Sequence, residues 1–190
     1  MISKTQLLKI AATLAALAVM AACSSFPPPA SDKDSILIIP LKVSIETSAP
    51  GFGHFEMSIY PVGSGVPQTF GLALSGAFSM VKGLNEGAYT LSSIVFKYDA
   101  GQTGSPYAVN APVSLEGGSI TIFPMAFGYR LYKDGNRLVM AAGWTQLTQE
   151  IADKLAKQLA TDKNVKAWRF SKSTLQNPYL RQALQNAGLE

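Results

Sequence analysis

The sequence contains a single cysteine, Cys23, and a single histidine, His54. One cysteine excludes an intrachain disulfide framework and a cysteine-rich zinc site, and one histidine excludes a multi-histidine metal site. Only 15% of the 190 residues are charged, 16 of them basic and 12 acidic. The hydrophobic fraction of 47% excludes gross disorder and is sufficient for one domain with a substantial core. We expect neither a metal nor another cofactor.

The longest apolar run lies near the N-terminus, where Lys4 and Lys9 precede the uncharged residues 10–22. Thirteen residues are too few for a comfortable bilayer span, which needs about 20. A positive start followed by a short apolar run is typical of a secretory signal peptide. Its two lysines supply half of the net charge of +4. The remaining charge is weak evidence for nucleic-acid binding, and we expect no nucleic-acid partner.

The apolar run ends in Met20-Ala21-Ala22-Cys23, which resembles the lipobox of bacterial lipoproteins, although Met20 stands where that family usually has leucine. The resemblance implies cleavage before Cys23, a diacylglyceryl thioether on its thiol and acylation of the new amine. Ser24, rather than aspartate, implies sorting of the envelope protein to the outer membrane. Each buried CH₂ contributes about 0.8 kcal/mol, so two or three acyl chains would anchor the protein firmly. The alternative is an ordinary secretory signal with a cysteine near the cleavage site by chance.

Composition divides the rest of the chain. Residues 24–35 include three consecutive prolines, which favour an extended tether reaching at most roughly 40 Å. Fifteen of the 16 glycines lie between Gly51 and Gly143, among short strand patterns. The predicted organisation is a signal peptide (1–22), a lipidated cysteine with a Pro/Ser tether (23–35), a β-sandwich domain (36–143) and a C-terminal segment (144–190).

Alternation of apolar and polar residues predicts the strands. It is clear over 41–46 and 54–60, and residues 129–140 form a hairpin pattern around Asp134-Gly135. Seven or eight short strands at this spacing favour an antiparallel β-sandwich or barrel. We therefore predict a mainly-β fold, an antiparallel sandwich of about seven to eight strands with a C-terminal α-helical segment.

Residues 78–91 carry a second resemblance. Leu84, Gly87, Tyr89 and Leu91 match the turn-and-strand pattern of carboxypeptidase-regulatory-like and transthyretin-like β-sandwiches. Residues 113–122 are similar to the hairpin that closes such domains. The resemblance implies a fold only, because these domains serve structural, adhesive and sugar-binding roles.

The C-terminal segment has helical periodicity. Leu147, Ile151, Leu155 and Leu159 recur every four residues and predict an amphipathic helix over 146–160. Residues 165–170 alternate and are interpreted as a strand, and Asn177-Pro178 is a good start for a short helix. We expect the helix to pack on the sandwich, and docking to a partner is the alternative. Five basic residues are candidates for contact with anionic lipid or glycan, although solvation is the more ordinary role: Lys163, Lys166, Arg169, Lys172 and Arg181.

No catalytic residue is predicted. Ser79 and Lys82 match the Ser-x-x-Lys spacing of penicillin-binding enzymes, but that chemistry needs a helix and this pattern is a strand. His54 opens a strand, and no motif places a nucleophile near it. The aromatic residues favour core packing, with a carbohydrate-stacking face as the alternative. The aromatic residues considered are Tyr89, Phe96, Tyr98, Tyr107, Phe123, Phe127, Tyr129 and Tyr132.

These patterns predict a lipid-anchored protein of the bacterial envelope that acts as a non-enzymatic structural or partner-binding module. Its expected partners are the membrane, through the lipid on Cys23, and another envelope protein or a glycan. A carbohydrate-binding module displayed at the envelope is the alternative, and an envelope enzyme is the least favoured hypothesis.

Overall fold

The computed structural model describes residues 26–47, 53–98 and 101–190, so the predicted signal peptide (1–22) and Cys23 lie outside the described residues. The described chain is mainly β, with two sheets and a C-terminal helical segment, which confirms the predicted fold class. The strands are β1 (Asp34–Ile45), β2 (Gly53–Pro61), β3 (Gln68–Leu72), β4 (Phe78–Asn85), β5 (Gly87–Tyr98), β6 (Tyr107–Leu115), β7 (Ser119–Ile122), β8 (Met125–Asp134), β9 (Arg137–Gln146) and β10 (Arg169–Phe170). The helices are α1 (Gln149–Leu159), a 3₁₀ helix (Lys163–Ala167), α2 (Lys172–Gln176) and α3 (Pro178–Asn186).

The two sheets differ in strand pairing. The second sheet, in the order β3-β2-β5-β6, is antiparallel throughout. In the first sheet, hydrogen-bonded neighbours follow the path β10-β7-β1-β8-β9, and β4 pairs with β1 off this path. In this sheet, β1 is parallel to both β7 and β8, and β10 is parallel to β7, so the prediction of antiparallel pairing is wrong for these pairs. The β1–β4 and β8–β9 pairs are antiparallel, as predicted. The chain builds the whole second sheet before β7 and β8 return beside β1 in the same direction.

Strand β1 lies at the centre of the molecule. Leu37 and Ile39 belong to the core between the sheets, whereas Ile36 and Ile38 belong to a second core beneath the helices. A strand that is buried on both faces has a continuous apolar sequence rather than an alternating one. The alternation read from residue 41 onward therefore covers only the last part of the strand, which begins at Asp34.

The core between the sheets is aromatic. Phe55 packs edge-on against Phe127 and Tyr129, with ring centroids 5.3 and 5.4 Å apart, and against Phe96 at 4.9 Å. Edge-to-face contacts in this range add to the free energy gained by burial. Burial also raises the pKa of the Tyr129 phenol. Most of the aromatic residues therefore serve the core.

The C-terminal segment forms a third layer on the first sheet. Helix α1 buries Ile151, Leu155 and Leu159 in the same cluster as Ile38 and Ile122 of the sheet. The expected packing of this amphipathic helix on the sandwich is thus confirmed. No helix among the described residues combines the length and apolar character needed to cross a bilayer.

Of two short predictions in this segment, the helix start at Asn177-Pro178 is confirmed and the strand over 165–170 is largely wrong. Asn177 caps α3 by accepting hydrogen bonds from the N–H groups of Tyr179 and Leu180, as Asn177-Pro178 predicted. The strand expected over 165–170 is limited to Arg169–Phe170. Asp162 caps the 3₁₀ helix that precedes it, because its carboxylate accepts the Asn164 N–H. This local side-chain hydrogen bond holds the backbone away from the extended conformation.

Candidate functional site

The first described residue is held against the C-terminal layer. Phe26 is only 1% exposed and belongs to the core beneath the helices. Its N–H donates to Asp162 Oδ2 at 2.7 Å, and its carbonyl accepts from Asn164 Nδ2 at 2.9 Å. The Trp168 Nε1–H donates to the Pro27 carbonyl at 2.8 Å. These contacts fix residues 26–27 to the 3₁₀ helix and its flanks.

The sequence predicts an extended tether over 23–35; of this segment, residues 26–27 are docked, and residues 23–25 lie outside the described residues. Only Ser24 and Ser25 separate Cys23 from the docked Phe26, and three Cα–Cα steps reach at most about 11 Å. The three prolines restrict the backbone but do not prevent the segment from docking. Phe26, directly before them, is the sequence signal that could have indicated docking. Residues 26 and 27 thus belong to the folded domain and do not extend away from it.

The end of this segment is also ordered by hydrogen bonds. The Asp34 carboxylate accepts the N–H groups of Ala30 and Ser31 at 2.7 and 2.9 Å, just as β1 begins. The hydrogen bond from the Ser31 hydroxyl, followed by that from the Ala30 N–H, lowers the pKa of the Asp34 carboxyl. The chain consequently enters β1 from a defined turn.

A concave surface of about 610 Å³ adjoins the docked Phe26. It is lined by Lys163, and Lys166 lies exposed in the same 3₁₀ helix. Arg169, by contrast, donates through Nη2 to the Gly117 carbonyl at 2.7 Å and so helps to hold β10 against the sheet. Of these three candidate basic residues, Lys163 lies beside the docked Phe26, and Lys166 follows it in the same 3₁₀ helix.

The structure does not bring the catalytic candidates together. His54 is exposed on β2, with Nε2 3.2 Å from Glu56 Oε1. Ser79 is buried in β4, where its Oγ accepts the Ala73 N–H at 3.1 Å. Ser79 and Lys82 lie on a strand rather than on successive helical turns, so their spacing does not create the Ser-x-x-Lys geometry. Within the described ranges, no group of three or more His, Cys, Asp or Glu residues is arranged to hold a metal.

The aromatic residues do not form a carbohydrate platform in the described chain. Tyr98 and Tyr179 are the only exposed aromatic residues there, at 37% and 46%. The Tyr98 ring is inclined at 85° to the neighbouring Phe96 ring, an edge-on contact. A stacking face of three exposed, coplanar rings is therefore not present in this part of the protein, and core packing accounts for most of the rings.

A groove of about 630 Å³ lies between α1 and the last residues of β1, and we call it the β1–α1 groove. The exposed residues Lys42, Lys154 and Lys157 line it together with Glu150. Lys154 Nζ donates to Glu150 Oε1 at 2.8 Å. This hydrogen bond, then the charge of Lys154 and, to a smaller extent, the charge of Lys42 lower the pKa of Glu150. Sequence reasoning did not find the groove, because its two walls, β1 and α1, are more than 100 residues apart in the chain.

The electrostatics of this groove give a direct prediction. Substitution Lys154→Gln removes the ammonium group that favours the charged carboxylate, so the pKa of Glu150 should rise towards its ordinary value. The measurement is an NMR titration of the Glu150 side-chain carboxyl. Lys133→Gln, at the exposed end of β8, is the matched control and should leave this pKa unchanged. An unchanged pKa in Lys154→Gln would contradict the described pairing.

Comparisons with known proteins assign no family. No protein-family model matches the chain, and no curated protein matches it at a significant level. The crystal structure of a candidate cell adhesion protein from Bacteroides uniformis shares 12% sequence identity, with a TM-score of 0.26. The likeness covers 61% of this chain and 51% of that chain, about half its length. A similarity at this level carries no argument about function.

Proposed function

We propose that this chain is a lipid-anchored protein of the bacterial envelope and acts as a non-enzymatic structural or partner-binding module. The observation that carries the proposal is the position of Cys23, the only cysteine, directly after the N-terminal apolar run and Ala21-Ala22. Lipidation needs a thiol at this point. The outer membrane is the proposed location, on the basis of Ser24.

The docking of Phe26 supports a close attachment to the membrane. With a spacer of two serines, the lipid on Cys23 would keep Phe26 within about 11 Å of the Cys23 Cα. Lys163 lies beside Phe26, Lys166 follows in the same 3₁₀ helix, and both would meet anionic headgroups. Confinement to a thin layer raises the effective concentration of the domain for partners in the same layer. This is the proposed mechanism, and it requires no catalysis.

The anchor is tested by the substitution Cys23→Ser in cells supplied with labelled palmitate. We expect the label to be lost and the protein to move from the membrane fraction to the soluble fraction, because the thiol that carries the diacylglyceryl group is absent. The readouts are autoradiography of the immunoprecipitated protein and immunoblots of the two fractions.

Ser25→Ala is the matched control, because it changes a neighbouring hydroxyl and leaves the thiol, and it should retain both the label and the membrane. Mass spectrometry of the purified wild-type protein should find an acylated Cys23 as its first residue. Persistent labelling and membrane retention in Cys23→Ser would overturn the proposal.

A further inference from the structure

One edge of β1 loses its partner strand partway along. Strand β4 pairs with β1 from Asp34 to Pro40, and the next contact on this edge is the hydrogen bond from the Leu41 N–H to the Ala77 carbonyl, 2.8 Å long. On the opposite edge, β8 continues to pair as far as Ile45. Beyond Leu41, no strand in the described part of the chain covers the β4 side of β1.

The direction of the backbone groups identifies which residues face this open edge. Glu46 donates its N–H to the Leu131 carbonyl on the β8 side, whereas Leu41 donates towards β4. Alternate residues of a strand direct their N–H and C=O groups to opposite edges. Val43 and Ile45 therefore present their backbone groups to the open edge. A row of such groups is a template for another strand.

The edge lies in the preformed β1–α1 groove as far as Ser44, and Ile45 follows at its open end. Gln158 of α1 accepts the Ala77 N–H through Oε1 at 2.6 Å and so links the helix to the segment that ends the groove. Gly76 permits this approach, because it has φ +85° and a Cβ there would lie 2.6 Å from the Gln158 amide. The four residues from 42 to 45 extend over about 13 Å at roughly 3.3 Å per residue. The groove thus has a fixed end, a helical wall and a strand edge.

The side chains define the chemistry of an occupant. Lys42, Lys154 and Lys157 line the groove, with Glu150 as the one carboxylate among its lining residues. Of the salt bridges between described residues, none includes Lys42 or Lys157. On the opposite face of β1, Ile45 is 58% exposed. An added strand would meet positive charge on its helix side and an apolar side chain on its other side.

We propose that the β1–α1 groove binds an extended, acidic segment of another protein, which adds as a strand to the open edge of β1 at Val43 and Ile45. Acidic side chains of the segment face Lys42 and Lys157, and the alternate side chains are apolar. Backbone hydrogen bonds supply affinity and the lysines supply selectivity, as in other strand-addition complexes. The proposal rests on the partner-binding role proposed above, and it names the chemistry of the partner.

The test uses the full chain in detergent micelles and a pool of blocked ten-residue peptides. In these peptides Glu or Asp alternates with Val, Ile or Thr. At a peptide concentration ten times the dissociation constant, we expect amide exchange of Val43 and Ile45 to slow by about tenfold. NMR-detected hydrogen exchange measures both amides. Peptides with lysine in place of the acidic residues, or with alternate backbone nitrogens methylated, should give less than a quarter of this protection.

Two double variants distinguish binding in the β1–α1 groove from nonspecific attraction between an acidic peptide and a basic protein surface. The double substitution Lys42→Glu with Lys157→Glu should weaken peptide binding by at least about tenfold. The matched control, Lys133→Glu with Arg137→Glu, makes the same charge change at the exposed β8–β9 turn and should bind as the wild type does. Val43→Pro removes the edge-facing N–H, and loss of protection at Ile45 in a folded protein would be a further supporting result.

The proposal is overturned if the peptide pool gives no protection of Val43 and Ile45, or if both double variants bind equally. Protection that depends on protein concentration without peptide would instead identify a second copy as the occupant. Peptide binding and palmitate labelling, measured separately, distinguish the two proposals. Peptide binding without palmitate labelling of the wild type would refute the anchor alone, whereas labelling without peptide binding would refute the groove alone.

Discussion

Substitution Phe127→Ala is expected to lower the free energy of unfolding by about 3–5 kcal/mol. Phe127 is fully buried on β8, between the two sheets. Its ring lies 5.3 Å from that of Phe55, 5.5 Å from Trp144 and 5.8 Å from Tyr107, measured between centroids. These three rings come from three other strands and cannot all collapse into the space that is left. Urea denaturation followed by circular dichroism measures the loss.

Tyr132→Ala provides a control on the same strand. Tyr132 is only half-buried, and its ring carries the Arg130 guanidinium 4.5 Å above its centre. Its truncation should cost about 1 kcal/mol, in the range of an exposed cation–π contact with modest burial. If the two variants lost equal stability, the assignment of Phe127 to the centre of the core would be wrong.

The second large effect is expected for Trp168→Ala, again about 3–5 kcal/mol. Trp168 is 6% exposed in the core beneath the helices, and its indole N–H holds the Pro27 carbonyl. The substitution removes both the packing and the hydrogen bond, so the segment that begins at Phe26 loses part of its site. We expect lower stability in urea and faster proteolysis between residues 26 and 33.

Trp168→Phe separates the two contributions. The phenyl ring keeps much of the packing but lacks the N–H donor, and a buried hydrogen bond of this kind contributes about 1 kcal/mol. Trp144→Phe is the matched control, because Trp144 donates its indole N–H to the Tyr107 carbonyl, away from the N-terminal segment. Equal acceleration of N-terminal proteolysis in the two Phe variants would contradict the docking role of Trp168.

Local features of the fold could be predicted from the sequence. The β8–β9 hairpin is predicted from Asp134-Gly135, and Gly135 has the positive φ of +57° that such a turn needs. The turn itself is one residue further along, at Gly135-Asn136, because Asp134 pairs with Arg137. The cap at Asn177 and the apolar face of α1 follow equally from short patterns. Each of these signals depends on residues close together in the chain.

The parallel pairing of β1 and the docking of Phe26 could not be predicted in this way. A short run that is apolar on both faces has no periodicity to identify its neighbours. Phe26 contacts Asp162, 136 residues away, and no local pattern records such a partner. Cys23 is a candidate site because its signal is a contiguous motif. The β1–α1 groove combines a strand edge with a distant helix, so only the folded chain contains it.

The docking of Phe26 also determines how a mechanical load would enter the domain. If Cys23 carries the proposed lipid, a pull on it would act first on the hydrogen bonds of residues 26 and 27 to Asp162, Asn164 and Trp168. The C-terminal layer, rather than β1, would bear the initial tension. If those bonds ruptured, the segment between the lipid and the sheet would lengthen from two residues to the ten residues 24–33, with β1 still in place from Asp34. The contacts of residues 26 and 27 would thus break under load before the strands of the sandwich separate.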